Sequence, residues 1–381
     1  MRLRKGEEQR QELLLTVEDK TQDTRHKNME CGSLLPQTQD SKCGSKLPHS
    51  ISCRPKTQNA EASFRTPYLD SGVLSPESSK IAFIYSDRIH ADIGDHVFPI
   101  EKYGLVRQRL IDDGALGPED FVEPQMATTE DLLLVHTKDY VHDLTNMIWT
   151  ERTIRSELPL TEDIKNSYLL GTGGTILACQ RALSSRVAVN LSGGFHHAFP
   201  DHAEGFCYTN DVAIAVRRLQ RDDQASRFFI VDCDLHQGNG TAYIFRADSD
   251  VFTFSIHQEN NYPLKQKSDL DIGLADGADD AIYLAHLKDH VPSILDEFAP
   301  GFVIYLAGAD PYQDDQLGGL DLTMDGLQRR DEFVIGECLS RSVPVAVLLA
   351  GGYAVNTDDT VTIHCNTCKV AHNLWHVMVG A

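Results

Sequence analysis

The stretch FFIVDCDLHQGNG, residues 228–240, runs from an apolar segment straight into Asp232, Asp234 and His236. Charged groups at the edge of a core are costly unless something pairs with them. On extended chain, residues two apart point to one face, about 6–7 Å from each other, so Asp234 and His236 lean toward a common point. Asp232 sits one step deeper, too far for a further bond of about 2 Å to the same ion, and suits the orientation of a neighbouring group. Asp310, in GADPYQDDQLGG, supplies a third donor. Two carboxylates and one imidazole hold a divalent ion and leave a position open for water, as a catalytic zinc requires. The oxygen-rich set also suits iron or manganese, so zinc is favoured without being settled. Alone, Asp-x-Asp-x-His reads equally as a surface turn.

Two further fragments carry groups able to move protons: His196 and His197 in SGGFHHAFPDHAEGFC, and Tyr353 in LLAGGYA. Each by itself has a plain reading, as satisfied core histidines or as a turn with a packing tyrosine. Their placement is what counts, because each follows a short apolar run. Such runs recur at residues 81–85, 131–136, 187–191, 228–232, 251–256, 302–307 and 345–350. Several lack polar alternation, which fits strands buried on both faces. Residues 211–220, 281–298 and 325–339 have helical spacing. Strands alternating with helices predict a parallel sheet covered on both sides. In such sheets ligands bind outside the carboxyl ends of the strands. His196, His197, Asp234, His236, Asp310 and Tyr353 therefore meet in one cleft. Glycines at 193, 194, 308, 351 and 352 permit the tight strand exits this needs.

The chain has 381 residues, 41% of them hydrophobic, enough for a sizeable core. Residues 1–78 are rich in Gln, Ser, Thr, Lys and Glu without sustained periodicity, and are expected to form a disordered tail. Residues 79–381 are expected to form one α/β domain. A net charge of -21 opposes nonspecific nucleic-acid binding and leaves no basis for direct sequence reading of DNA. Nine cysteines, odd in number and irregularly spaced, argue against a disulfide framework, and CNTC at 365–368 has no partner pair for a metal. No run approaches the roughly 20 apolar residues of a membrane span. The three leucines near the start are too few for a signal peptide.

The order and spacing of SGGFHHAFPDHAEGFC, NDVAIA, VDCDLHQGNGT, GADPYQDDQLGGLDLT and LLAGGYA resemble the histone deacetylase superfamily of zinc amidohydrolases. The resemblance covers about residues 81–381, and KYGLVRQRL with HQENNYP is most similar to the class IV branch. It implies a three-layer α/β fold, arginase-like, with an open and mostly parallel sheet of about eight strands. It also implies hydrolysis of acyl-lysine amides. On this resemblance Asp234, His236 and Asp310 match the ligands of a single Zn2+. His196 and His197 match the tandem histidines, His197 being the proton-transferring acid/base, and Tyr353 matches the residue that polarises the substrate carbonyl. Asp232 matches the carboxylate behind His196. Gly205 and Phe206 match the wall of the acyl-lysine tunnel. The backbone around Asp232, Asp234, His236 and Ser255 matches a structural K+ site.

Two departures bear on the chemistry. Asn239 stands where some branches carry an aspartate behind the second histidine, and a neutral partner raises basicity less. Ala350 replaces a glycine ahead of Tyr353, with little expected effect on that tyrosine. The implied partners are acyl-lysine proteins, histone tails foremost, with co-regulator proteins, in the nucleus or cytoplasm, an organelle being left open. A neighbouring alternative is an amidohydrolase of small acetylated amines such as acetylpolyamines. A non-catalytic scaffold would have lost a ligand, the histidine pair or the tyrosine. A dinuclear manganese hydrolase would need the order Asp-x-His-x-Asp. His202 and Tyr262 are candidates for the rim, while His90 and His136 are read as capping or packing residues.

Overall fold

The computed structural model describes residues 80–380, so the expected disordered tail at 1–78 lies outside the described residues. The strands are β1 (Ala82–Ile84), β2 (Phe121–Val122), β3 (Val187–Asn190), β4 (Phe228–Asp232), β5 (Val251–Gln258), β6 (Leu270–Leu274), β7 (Phe302–Leu306) and β8 (Val345–Leu348). They form one eight-stranded sheet in the order β2-β1-β3-β8-β7-β4-β5-β6, and every pairing is parallel.

Alternate residues of the same strands enter two separate cores, as the two-residue period of a strand demands. Val189, Phe229, Val231, Tyr305 and Val347 join the apolar faces of the helices Asp280–Glu297, Met324–Ser340 and Thr357–Met378. Ala188, Phe228, Ile230, Ile304 and Leu348 join those of Glu162–Ser185 and Asp211–Arg221. This is the expected three-layer arrangement. Each fully buried aliphatic or aromatic side chain contributes about 1.5–3 kcal/mol, which explains why the central strands carry no polar alternation.

Two expectations need correction. Residues 131–136 are not a strand. Thr128 and Asp131 form a reciprocal capping box that starts the short helix Thr129–Leu132, and turns follow. Two strands also went unread. β2 is two residues long, and β6 alternates exposed and partly buried positions at the sheet edge. The central order β3-β8-β7-β4 is what matters for chemistry, since it sets the four polar strand exits side by side.

Candidate active site

β4 ends at Asp232, and the chain then turns under the control of its own carboxylates. Asp232 Oδ1 accepts from the Asp234 N–H at 3.2 Å, and Asp234 Oδ1 accepts from the His236 N–H at 3.0 Å. Neighbouring exits complete the support. The Gly351 N–H, after β8, donates to Asp234 Oδ2 at 2.9 Å, and the Leu235 N–H donates to Asp310 Oδ1, after β7, at 2.9 Å. Each carboxylate is thus aimed by backbone amides from a different strand exit. One donor atom each from Asp234, His236 and Asp310 lies within 4.8 Å of the others, and all three residues are buried.

These groups fit a cation. His236 Nδ1 lies 3.3 Å from both Asp234 Oδ1 and Asp310 Oδ2, yet Asp310 Oδ2 accepts no hydrogen bond. A buried carboxylate oxygen left in this way needs a positive partner. Burial opposes charge on His236, but Asp234 and Asp310 outweigh it and push the imidazole up to about 10. Burial and the Asp234 charge raise Asp310 to about 6. The cluster therefore draws positive charge, and two carboxylates with one imidazole suit a divalent ion. Gly308 and Gly351 make the close approach possible, since a Cβ on Gly308 would fall 2.8 Å from Asp234 Oδ2 and from Asp310 Oδ1.

The histidine pair hangs on the exit of β3. Gly193 and Gly194 take φ of +82° and +79°, the region only glycine enters freely. Asp211, at the head of the helix Asp211–Arg221, accepts from the Gly194 and Phe195 N–H groups at 3.0 and 2.6 Å and fixes this turn. His196 Nδ1 then reaches Asp232 Oδ2 at 2.7 Å, and His197 Nδ1 reaches Asn239 Oδ1 at 2.8 Å. Burial pulls His196 down, but Asp232 and Asp234 reverse this and raise it to about 9. Burial, together with His196 and His236, holds His197 well below its ordinary value. The expected Asn239 partner is present, and behind it stands a carboxylate absent from the sequence reading: Asn239 Nδ2 donates to Glu204 Oε1 at 2.7 Å.

Tyr353 follows β8 through Ala350, whose φ is +53°. The buried Lys102 ammonium donates to the Ala350 carbonyl at 2.8 Å and lies 5.7 Å from the centre of the Tyr353 ring. Burial lowers Lys102 to about 8, despite the nearby carboxylates of Asp310 and Asp234. Asp315 Oδ2 accepts from the Tyr353 N–H at 2.7 Å. Burial, with Asp234 and Asp310 nearby, pushes the Tyr353 phenol well above 10, so it is a hydrogen-bond donor at neutral pH.

A narrow cavity of about 30 Å³ joins Tyr353, His196, His197, Asp234, His236 and Phe206. An outer space of about 210 Å³ continues to Tyr262, Leu317, Asn261 and Glu157. Gly205 and Phe206 line both. Tyr262 does stand at the mouth, its ring 5.2 Å from that of His197. His202 stacks on Phe199 at 4.6 Å and faces Asp201 and Glu204. His136 is a packing residue, its ring nitrogens engaged by the Phe199 carbonyl and the Asn210 N–H. His90 caps the short helix Asp87–Ile89. Ser255 Oγ lies 2.9 Å from His257 Nδ1. Cys365 and Cys368 lie on the buried face of the last helix, within the core. Lys102, Glu204, Asp211 and Asp315 lie within stretches quoted for the resemblance but were given no role, and Glu157 lies in none of them, because what each does depends on contacts made across the fold.

The profile of the histone deacetylase domain matches residues 96–368. An uncharacterised protein of Picosynechococcus sp. is 43% identical over 283 residues, spanning 74% of this chain and 94% of its own length. Histone deacetylase 2 of Arabidopsis thaliana is 29% identical, with 79% of each chain covered. The acetoin utilization protein AcuC of Staphylococcus aureus is 29% identical over 68% of this chain and 74% of its own. Among solved structures, the HD domain of HDA15 superposes with a TM-score of 0.64 at 23% identity, covering 77% of this chain and 90% of that one, and so shares the fold. With a buried Asp–His–Asp group, a histidine pair and a tyrosine at adjoining strand exits, this chain belongs to the histone deacetylase family.

Proposed function

We propose that this chain is a zinc-dependent protein lysine deacylase that hydrolyses acyl-lysine amides, with histone tails as its first candidate substrate. The observation that carries this reading is the facing of Asp234, His236 and Asp310 with His197 and Tyr353 at the inner end of one channel. Asp234, His236 and Asp310 would hold the zinc. When bound, it would supply Lewis-acid polarisation of the amide carbonyl and a water of lowered pKa.

The chain's own residues supply the rest. The lysine stem runs between Phe206 and Tyr262, which exclude water from its methylenes. Asn239 holds the His197 Nδ1–H, so the lone pair is on Nε2, which faces His196 Nε2 at 3.1 Å and is the basic site that takes the proton of the attacking water. Tyr353 donates to the oxygen on which negative charge grows, as an oxyanion-hole donor does. His196, charged through Asp232 and Asp234, adds a positive field beside that oxygen. The proton collected at His197 is then delivered to the departing lysine nitrogen, which could not leave as an amide anion. A K+ held by the backbone around Asp232, Asp234, His236 and Ser255, and a nuclear or cytoplasmic location, belong to the same reading.

The test is a panel of lysine peptides differing in acyl chain, with acetylspermidine as a separate arm, run with chelator and with zinc restored. Zinc-dependent turnover of acyl-lysine peptides supports the reading. Turnover of acetylspermidine alone replaces it with a small-amine hydrolase, and no turnover of either removes it.

A further inference from the structure

Glu204 and Cys207 exchange backbone hydrogen bonds of 3.1 and 2.9 Å around Gly205 and Phe206. Those central residues have φ of +48° and +60°, both left-handed, as in a type I′ turn. The turn sets the Phe206 ring 5.9 Å from that of Tyr353. Gly205 fits because a Cβ there would meet the Tyr262 hydroxyl at 2.6 Å and His197 at 2.8 Å. The Glu204 side chain leaves this wall and reaches inward to Asn239 Nδ2 at 2.7 Å, while its other oxygen faces His202 Nε2 at 3.3 Å.

An asparagine amide can be turned over, exchanging its acceptor and donor ends. Which end faces His197 decides which ring nitrogen carries the hydrogen. With Oδ1 forward, 2.8 Å from His197 Nδ1, the ring holds Nδ1–H and Nε2 is a base. With the NH2 forward, Nδ1 becomes the acceptor, and the neutral ring carries its hydrogen on Nε2, where it cannot take up a proton. Half-burial alone would raise the Glu204 carboxyl, but the bonds from His202 and Asn239 hold it below the usual range. An ionised carboxylate only accepts, so it takes the NH2 end. The Gly240 N–H, donating to Asn239 Oδ1 at 3.0 Å, is a second hold on the same orientation.

We propose that Glu204 is a positioning residue that locks the Asn239 amide, and through it the Nδ1–H tautomer of His197, while tying the Gly205–Phe206 wall to that histidine. The tautomer follows from the contacts of Glu204 and Gly240 with Asn239 and of Asn239 with His197, and its consequence for turnover rests on the deacylase reading above. A carboxylate in place of the Asn239 amide has no donor end to turn over, so it would orient His197 without help. Asn239→Asp should therefore rescue a chain that lacks Glu204, whereas beside Glu204 it would place two carboxylates in contact.

The experiment uses the full chain with zinc, in wild-type, Glu204→Ala, Glu204→Gln, Asn239→Asp and Glu204→Ala/Asn239→Asp forms. Nitrogen-15 NMR of labelled histidine reads the His197 tautomer, and steady-state kinetics on an acetyl-lysine peptide reads kcat and KM. Glu204→Ala should mix the two tautomers and lower kcat by roughly 10- to 100-fold, the usual cost of losing such a supporting partner, with KM little changed. Glu204→Gln, which keeps the turn packed, should shift both readouts less in the same direction. Because Asn239→Asp alone would set a second carboxylate against Glu204 where the amide now donates at 2.7 Å, the comparison is made without Glu204: Glu204→Ala/Asn239→Asp should regain the Nδ1–H tautomer and most of the kcat that Glu204→Ala loses. No recovery in Glu204→Ala/Asn239→Asp over Glu204→Ala, or a pure Nδ1–H signal in Glu204→Ala, would overturn the proposal. If the wild type turns over no acyl-lysine peptide, the deacylase reading fails, and the tautomer signal still decides the role of Glu204.

Discussion

His196 Nε2 and His197 Nε2 stand 3.1 Å apart, and their Nδ1 atoms point away toward Asp232 and Asn239. With both Nδ1 atoms donating outward, two neutral rings would oppose lone pairs across that gap. One hydrogen between them resolves the conflict, and the charges place it on His196, raised to about 9, while His197 stays neutral. A histidine NMR titration of the metal-free chain should show His196 losing its proton near 9 and His197 gaining one well below 6.5. The stability consequences have opposite signs. The His196 contribution is fully present below 6.5 and is lost as pH rises through about 9. The His197 contribution is present above 6.5 and is lost as pH falls below it. Urea midpoints of the metal-free chain should therefore decline on both sides. Asp232→Asn, by removing the leading partner of His196, should bring the alkaline decline to lower pH.

Tyr353→Phe keeps the ring between Phe98 and Phe206, at 6.1 and 5.9 Å, and removes only the hydroxyl. The expected result is a folded protein with kcat lower by about 10²–10³-fold, the range for deleting one oxyanion donor, and KM nearly unchanged. Kinetics on an acetyl-lysine peptide, with a melting curve alongside, checks it. A rise in KM alone would make the tyrosine a binding group instead.

Burial decides which of these elements can be read in advance. Val187–Asn190, Phe228–Asp232, Phe302–Leu306 and Val345–Leu348 are buried on both faces, so hydrophobicity alone marks them. Their polar exits carry the metal donors, the histidines and the tyrosine, and a parallel sheet gathers such exits at one end. Residues 131–136 misled because a four-residue apolar run has no period long enough to separate helix from strand. The deciding signal there was the capping box of Thr128 and Asp131. β6 was hidden by its polar edge face. Glu204 and Lys102 escaped for a different reason. Their roles depend on contacts with Asn239 and Ala350, 35 and 248 positions away, which no local pattern encodes.

Gly351 offers a test of the metal donors that leaves the donors themselves intact. Its N–H holds Asp234 Oδ2, and a Cβ there would fall against Asp310 Oδ2 and 2.5 Å from Asp234 Oδ2. In the wild type, zinc at about 1,000 times its Kd should add about 4 kcal/mol to stability by mass action. Gly351→Ala should force the two carboxylates apart and abolish most of this zinc-dependent rise in melting temperature. Retention of the full rise would mean that the ion does not sit between Asp234 and Asp310.

Behind the donor loops lies a buried ion pair. Arg330 Nη1 donates to the Gly308 carbonyl at 2.6 Å and the Cys233 carbonyl at 3.3 Å, which flank Asp310 and Asp234 in the chain. Its other side meets Asp331, with Nε and Nη2 at 2.9 and 2.8 Å from Oδ1. Asp331 in turn accepts from the Tyr305 and Thr367 hydroxyls at 2.5 and 2.6 Å. The arginine thus links two strand exits to the last helix through fully enclosed charges. Arg330→Met would leave the Asp331 carboxylate buried without a cation, a change that costs about 3–5 kcal/mol. Urea unfolding should report a loss of that size, with weaker zinc binding because the Cys233 and Gly308 carbonyls lose their common donor. Adding Asp331→Asn should restore part of the stability, since the neutral amide still accepts from Tyr305 without needing a counter-charge. It should not restore zinc affinity, because nothing then bridges the two carbonyls. An Arg330→Met protein that unfolds at the wild-type midpoint would show that the pair braces neither the core nor the donor loops.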